Sequence, residues 1–228
     1  MTNAADGSGA MFDSIAPGYD RLNRLMSLGM DRGWRRRLVR ALELTDDSGE
    51  VIDLATGTGD VAQTIITKHP NITVVGVDPS SEMLRVAEGK LDPQKTRWYR
   101  GGAENLAFAD DRFLGATMAF GLRNIPDRLK ALQEMRRVVR PGHVVAVLEL
   151  TQPRGHMFAA LARFHVHHIV PRLGAMLSGP DAYAYLARSI AAFPPPGDIV
   201  ELMTQAGIRE ARAEPLAFGS VHLFIGRA

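Results

Sequence analysis

The chain has 228 residues, enough for one domain of slightly above average size that buries a substantial core without staples. With 46% hydrophobic and 23% charged residues it has a soluble composition, and no apolar run approaches the roughly 18 residues of a membrane-spanning helix. Twenty-seven Lys and Arg against 25 Asp and Glu give a formal charge of only +2, which argues against a nucleic-acid partner, and the absence of cysteine excludes disulfides, thiolate metal sites and cysteine nucleophiles.

Residues 1–10 are expected to be a flexible tail, and nothing in them has the charged-then-apolar order of a leader, so a cytoplasmic location is the default expectation. From Met11 to about Leu44, apolar residues such as Phe12, Ile15, Leu25, Trp34 and Leu38 recur at helical spacing, broken at Pro17-Gly18 and Gly29. Two or three short helices are therefore expected as a cap over residues 11–46. Val51 to Leu54 then reads as a buried strand, Asp60 to Lys68 as a helix and Ile72 to Val77 as a second strand. A helix from Ser80 to Lys90 follows, with Ser80 or Ser81 as its cap, then strands at Arg97–Arg100 and Gly115–Phe120. Asp127 caps a helix to Val139 that Pro141-Gly142 is expected to stop, and Val144–Leu150 is a continuous apolar strand. Residues 155–192 carry two helical stretches split at Ser178-Gly179-Pro180, a candidate lid, before a last helix to about Ala206 and strands at 208–214 and 219–226. The alternation implies an α/β, doubly wound, mostly parallel sheet in a single domain over residues 11–228.

Asp53-Leu54-Ala55-Thr56-Gly57-Thr58-Gly59 falls where the first strand meets its helix, and Asp78 ends the second strand twenty residues beyond Thr58. The glycines permit a tight turn and close ligand approach, the helix N-terminus offers unpaired N–H groups, and a carboxylate at the strand end suits ribose hydroxyls. Gly57, Gly59 and Ala62 also satisfy the dinucleotide pattern. Helices before the first strand, Asp53 ahead of the turn and the lack of any Tyr with Lys four residues on favour S-adenosylmethionine instead. Asp53 is placed to hold the turn or, through water, the methionine amino group.

At Ala119-Phe120-Gly121-Leu122-Arg123-Asn124 the sequence resembles the ubiquinone/menaquinone biosynthesis C-methyltransferases. Flanking signatures agree: Tyr19-Asp20, Asn23, Ser27 and Trp34 on one side, Arg137 to Gly142 with Glu149 and Thr151 on the other, and Tyr183, Tyr185, Leu186 and Ser189-Ile190 in the lid. The resemblance spans about Met11 to Gly226. It implies a class I S-adenosylmethionine-dependent methyltransferase fold with a seven-stranded sheet, and a polyprenylated quinol as acceptor. It also implies cofactor contacts at Thr58, Asp78, Pro79, Gly102-Ala103 and Ala119. The family usually has Asp or Asn at the Gly102 position. Adenine must here be held by the backbone of Ala103 and Glu104, by apolar packing, or by Glu104 itself. Ala119 replaces a residue that is Ser in some members, and Ala217-Phe218-Gly219 stands where the family tends to have Thr-Gly-Gly.

For the reaction, the resemblance points to Arg123 as the group that stabilises a developing phenolate, with a structural ion pair to Glu149 or Asp127 as its bland alternative. Asn124 orients the oxygen, Tyr19 closes the site, and His168 is an alternative general base. His156, His165, His167 and His168 lack convergent carboxylates, so no metal is expected. Arg32, Arg36 and Arg40, with Arg35, Arg37 and Trp34 beside them, form a basic stripe that is either a solvated helix face or a peripheral contact with anionic lipid at the inner face of a membrane. Pairing of two copies through the lid is left open. The rival functions are a specialised-metabolism methyltransferase with a re-specified lid and a non-catalytic S-adenosylmethionine-binding regulator.

Overall fold

A computed structural model describes residues 13, 16–44, 48–152 and 180–228. Seven strands make one sheet: β1 (Gly49–Leu54), β2 (Ile72–Asp78), β3 (Thr96–Arg100), β4 (Phe113–Ala119), β5 (Val139–Leu150), β6 (Arg209–Leu216) and β7 (Val221–Arg227). Their order is β3-β2-β1-β4-β5-β7-β6, parallel except for β7, which is antiparallel to both neighbours. The helices are α1 (Tyr19–Met26), α2 (Asp31–Ala41), α3 (Asp60–Lys68), α4 (Ser81–Lys90), α5 (Arg128–Val138), α6 (Pro180–Ala192) and α7 (Pro196–Gln205).

Side chains along a strand alternate between faces, and β5 shows how this divides the core. Val144, Ala146 and Leu148 join the cluster with Leu38, Val39 and Ile65 under α2 and α3, whereas Val145 and Val147 join the cluster with Leu132, Met135 and Met203 under α5 and α7. Burial on both faces is why this strand reads as an uninterrupted apolar run. The caps fall as expected: Ser80 accepts from the Met83 N–H, and Asp127 from the Lys130 N–H.

Pro141-Gly142 does not stop α5. That helix already ends at Val138, and β5 begins at once with Val139 paired to Phe113, so the Pro-Gly pair lies inside a strand. The pairing shifts register between Phe113 and Gly115, Gly142 takes φ +81, and its N–H donates to the Ala228 carbonyl. A bulge tolerates a residue without an N–H and one with positive φ, so Pro-Gly here marks an irregularity in a strand. Of the expected lid, α6 is described, while residues 155–179 lie outside the described residues.

The sheet reverses its winding between β1 and β4, which splay their following segments to opposite sides. In such sheets ligands bind at the carboxyl ends of the strands at that point.

Candidate active site

The turn after β1 is built on left-handed residues, with Ala55 at φ +49, Gly57 at +56 and Gly59 at +79. Asp53 holds it from beneath: its two carboxylate oxygens accept the hydroxyls of Thr56 (2.6 Å) and of Thr117 on β4 (2.7 Å). Asp53 is fully buried, and desolvation pushes its pKa up to about 6. Of its two expected roles the geometry is that of the turn holder, since it does not reach the cleft.

Asp78 does reach it. One oxygen accepts the Gly57 N–H (2.8 Å) and the other the Ser80 N–H (2.9 Å), which ties the ends of β1 and β2 together. Burial raises its pKa, but two backbone donors keep its ionised form in place, and each oxygen retains a lone pair for a ligand hydroxyl. Asp78 is not the cap of α4; Ser80 is.

The cleft beside this turn has a volume of about 810 Å³ including its mouth. Its wall includes Tyr19, Gly57, Asp78, Pro79, Gly102, Ala103, Glu104, Ala119 and Asn124, so these nine expected residues are brought together. Phe120, Gly121, Ile125 and Pro126 join them. Thr58 and Gly59 do not line it: Gly59 is the N-cap of α3, and the buried Thr58 hydroxyl donates to Asp20 of α1. Gly121 is needed for closeness, because a Cβ there would meet the Ala55 Cβ at 2.5 Å. Phe120 at φ +60 makes the bend after β4.

Arg123 faces inward. Its guanidinium pairs with buried Glu149 at 2.7 Å and donates to the Phe120 carbonyl, while its own N–H donates to the other Glu149 oxygen (3.0 Å). Arg123 does not line the cleft: its Nη1 clamps the Phe120–Asn124 bend, which is the geometry of the bland alternative, while its buried Nε has no partner among the described residues. Asn124 does face the cleft, and Tyr185 of α6 donates to its Oδ1 (3.0 Å). His168 and the other lid histidines lie outside the described residues, and among those described no group of three metal-ligating side chains converges.

At the other end of the cleft, a Cβ added to Gly102 would stand 3.0 Å from Glu104 Oε2. The Glu104 carboxylate thus occupies the space that a side chain at position 102 would fill. Sequence reasoning assigned no part to Asp13, Asp20 or Tyr185, yet Asp13 accepts from the Ser80 hydroxyl and the Glu82 N–H at the start of α4. Asp20 and Tyr185 stand in recognised signatures, but contacts across 38 and 61 residues leave no periodic trace.

A glycine turn that lets a ligand approach the backbone at Gly57, a carboxylate at the end of β2, and a largely apolar slot closed by Glu104 fit S-adenosylmethionine. The sheet and this cleft define a class I S-adenosylmethionine-dependent methyltransferase. A SAM-dependent methyltransferase of Thermotoga maritima, described as a possible histamine N-methyltransferase, has the same fold, with a TM-score of 0.65 at 18% identity over 96% of this chain and 98% of that one. Residues 2–227 match the model of the ubiE/COQ5 methyltransferase family, and the chain belongs to that family as a C-methyltransferase. A ubiquinone/menaquinone biosynthesis C-methyltransferase UbiE of Syntrophotalea carbinolica is 44% identical over 95% of this chain and 92% of its own length. A demethylmenaquinone methyltransferase of Deinococcus radiodurans is 41% identical over 95% and 90%.

Proposed function

We propose that the acceptor is a prenylated quinol, methylated at a ring carbon, with demethylmenaquinol as the leading candidate and the equivalent ubiquinone precursor as the other. The names of the relatives supply the class, and one contact carries the chemistry: Tyr185 takes Asn124 Oδ1, which commits that oxygen and leaves the Asn124 amide hydrogens for an acceptor oxygen. Among the described residues the two carboxylates of the cleft, Asp78 and Glu104, follow β2 and β3, on the far side of β1 from Asn124. No described carboxylate lines the cleft beside Asn124 to pair with a cationic amine.

S-adenosylmethionine, when bound, supplies an electrophilic methyl group on a sulfonium. The chain must hold a nucleophilic ring carbon of the acceptor in line with that methyl, at about 3–3.5 Å. An amide donor on the ring hydroxyl stabilises the oxyanion and lowers the hydroxyl pKa, which raises electron density at the adjacent carbon. That carbon gains the methyl and loses its proton. Arg123 acts as a positioning residue: with Glu149 it fixes the bend that presents Asn124. Tyr19 closes the cleft from α1, and His168 is kept as a candidate proton acceptor. A prenylated acceptor resides in a bilayer, so the reading includes peripheral contact with a membrane.

The departures from the family near the C-terminus do not favour a re-specified acceptor. Phe218 and His222 are absent from the cleft wall, and His222 hydrogen-bonds Thr151 through Nδ1 at 2.7 Å. The test is radiolabelled methyl transfer to short-tailed demethylmenaquinol and to a demethylated ubiquinol precursor, with parent and Tyr185→Phe. Transfer to one ring, with turnover about tenfold lower in Tyr185→Phe and cofactor affinity unchanged, is the expected result. Transfer to neither ring despite cofactor binding would overturn the reading.

A further inference from the structure

Charge is unevenly spread on this chain. Residues 21–42 hold seven arginines and one acid, Asp31, although the whole chain has a formal charge of only +2, so the remainder is net negative. The structure sorts these arginines into two sets. Arg35 is buried against Asp31 and Asp60 and leaves the expected stripe, and Arg37 pairs with Glu214. Arg21, Arg24, Arg32, Arg36 and Arg40 are exposed and form no ion pair with any described carboxylate.

The elbow between α1 and α2 lies in the midst of this set and is apolar at its tip. Of the five large hydrophobic side chains exposed among the described residues, three fall within six positions: Leu25 (39% exposed), Leu28 (66%) and Met30 (47%). The elbow is also built rigidly. Its N–H groups at Ser27, Gly29 and Met30 are bonded to Asn23, Arg24 and Ser27 carbonyls, the Ser27 hydroxyl donates to Asp31, and Leu28 is held at φ +51. A leucine kept in the left-handed region and turned to solvent gains nothing for the core.

From these observations we infer that the α1–α2 elbow docks on an anionic bilayer surface, with Leu25, Leu28 and Met30 entering the acyl boundary and the exposed arginines pairing with headgroup phosphates. Exposed apolar side chains flanked along α1 and α2 by exposed arginines match that interface, where anionic and hydrocarbon layers lie within about 5–10 Å of each other. A nucleic acid would use the arginines but not the leucines. The site is also next to the cleft: α1 starts at Tyr19 on the cleft wall, and Trp34 in the first turn of α2 packs edge-on against Phe120, another wall residue. An eight-residue helix is about 12 Å long, so an elbow resting on a bilayer brings the cleft mouth within that reach of the lipid. The use of such docking rests on the prenylated-acceptor reading, whereas its geometry does not.

The experiment is vesicle flotation of the full chain with phosphatidylcholine alone and with added phosphatidylglycerol, at low and high salt. Two elbow variants are compared with the parent: Arg24→Ala/Arg32→Ala/Arg36→Ala, and Leu28→Asn/Met30→Ser. The second suits the fold, because Asn tolerates positive φ and Ser is a better N-cap than Met. Binding only to the anionic vesicles, weakened by salt, is expected; the arginine variant should bind roughly a hundredfold more weakly, at about fivefold per arginine, and the apolar variant should also detach. Methyl transfer to a tail-free quinol should be unchanged in both. Parental binding to neither vesicle, or equal binding by the arginine variant, would overturn the proposal, as would self-association in lipid-free solution that the apolar variant abolishes. Loss of tail-free methyl transfer in the parent would instead sink the quinol reading and leave the vesicle result standing.

Discussion

Two carboxylates show what single residues do in this site. Asp53 is ionised only against desolvation, with a pKa near 6 in the fold against about 3.8 when unfolded. For this group the folded state is favoured at low pH, and the advantage is lost as pH rises from about 4 to about 6, a difference of roughly 3 kcal/mol above that window. Asp53→Asn keeps an acceptor and gains a donor for the Thr56 and Thr117 hydroxyls without the buried charge. It should melt at higher temperature than the parent at pH 7.5, with the gap closing toward pH 4; a gap constant across pH would show that desolvation is not the cause. Glu104 is the second. Its carboxylate fills the space above Gly102, so we expect Glu104→Ala to weaken cofactor binding by about tenfold in calorimetry, as for loss of one charged hydrogen bond. Gly102→Asp should recover that loss only in the Glu104→Ala background, where the two carboxylates no longer compete. The turn and Asp78 were legible from spacing alone, because a Gly-rich strand-to-helix junction and a strand-end acid are local features. The inward turn of Arg123 was legible only as an alternative, an ion pair to Glu149 or Asp127, because nothing local decides a contact with a residue 26 positions away.

Among elements, periodicity carried most of the sheet. β1, β2 and β5 are legible because burial on both faces makes them apolar runs, and the start of β5 was missed because Pro141-Gly142 serves a bulge as well as it serves a helix stop. The β6–β7 hairpin is where composition misleads in the other direction. Ala217, Phe218 and Gly219 all take positive φ, at +46, +57 and +82, though two of them carry a Cβ. A left-handed L-residue costs roughly 1–2 kcal/mol, part of which a glycine returns through the entropy of the unfolded chain. The Phe218 ring is 75% exposed, so little buried area is at stake. Phe218→Gly should raise the denaturant midpoint by an amount equivalent to about 0.5–1 kcal/mol with an unchanged slope, and a fall in the midpoint would mean that the ring holds the hairpin by contact.

At the scale of the molecule, the cap and the cofactor turn are joined by charge. Lys90 at the end of α4 lies 2.9 Å from Asp20 of α1 and 2.7 Å from Asp60 of α3, Asp60 lies 3.5 Å from Arg35 of α2, and Thr58 in the turn donates to Asp20. Four helices thus meet around one half-buried ammonium, and α1, which this knot seats, is the helix that puts Tyr19 on the cleft wall. Removing the ammonium leaves Asp20 and Asp60 facing each other without a shared cation. The cost to global stability should be small, about 1 kcal/mol for a partly exposed pair, because the two core clusters under the sheet do not depend on it. The cost to the closed cap should be proportionately larger, since none of the described side chains of α1 is fully buried and local opening draws on the least stable element first. Lys90→Ala is therefore expected to raise the dissociation rate of S-adenosylhomocysteine several-fold in stopped-flow displacement, while the melting temperature falls by only 2–4 °C, the roughly 1 kcal/mol shift for a chain of this size. Raising salt in the parent should move the dissociation rate the same way, because screening weakens the same contacts. Equal rates in parent and variant, with stability reduced, would assign the knot to folding alone and leave Tyr19 seated by packing.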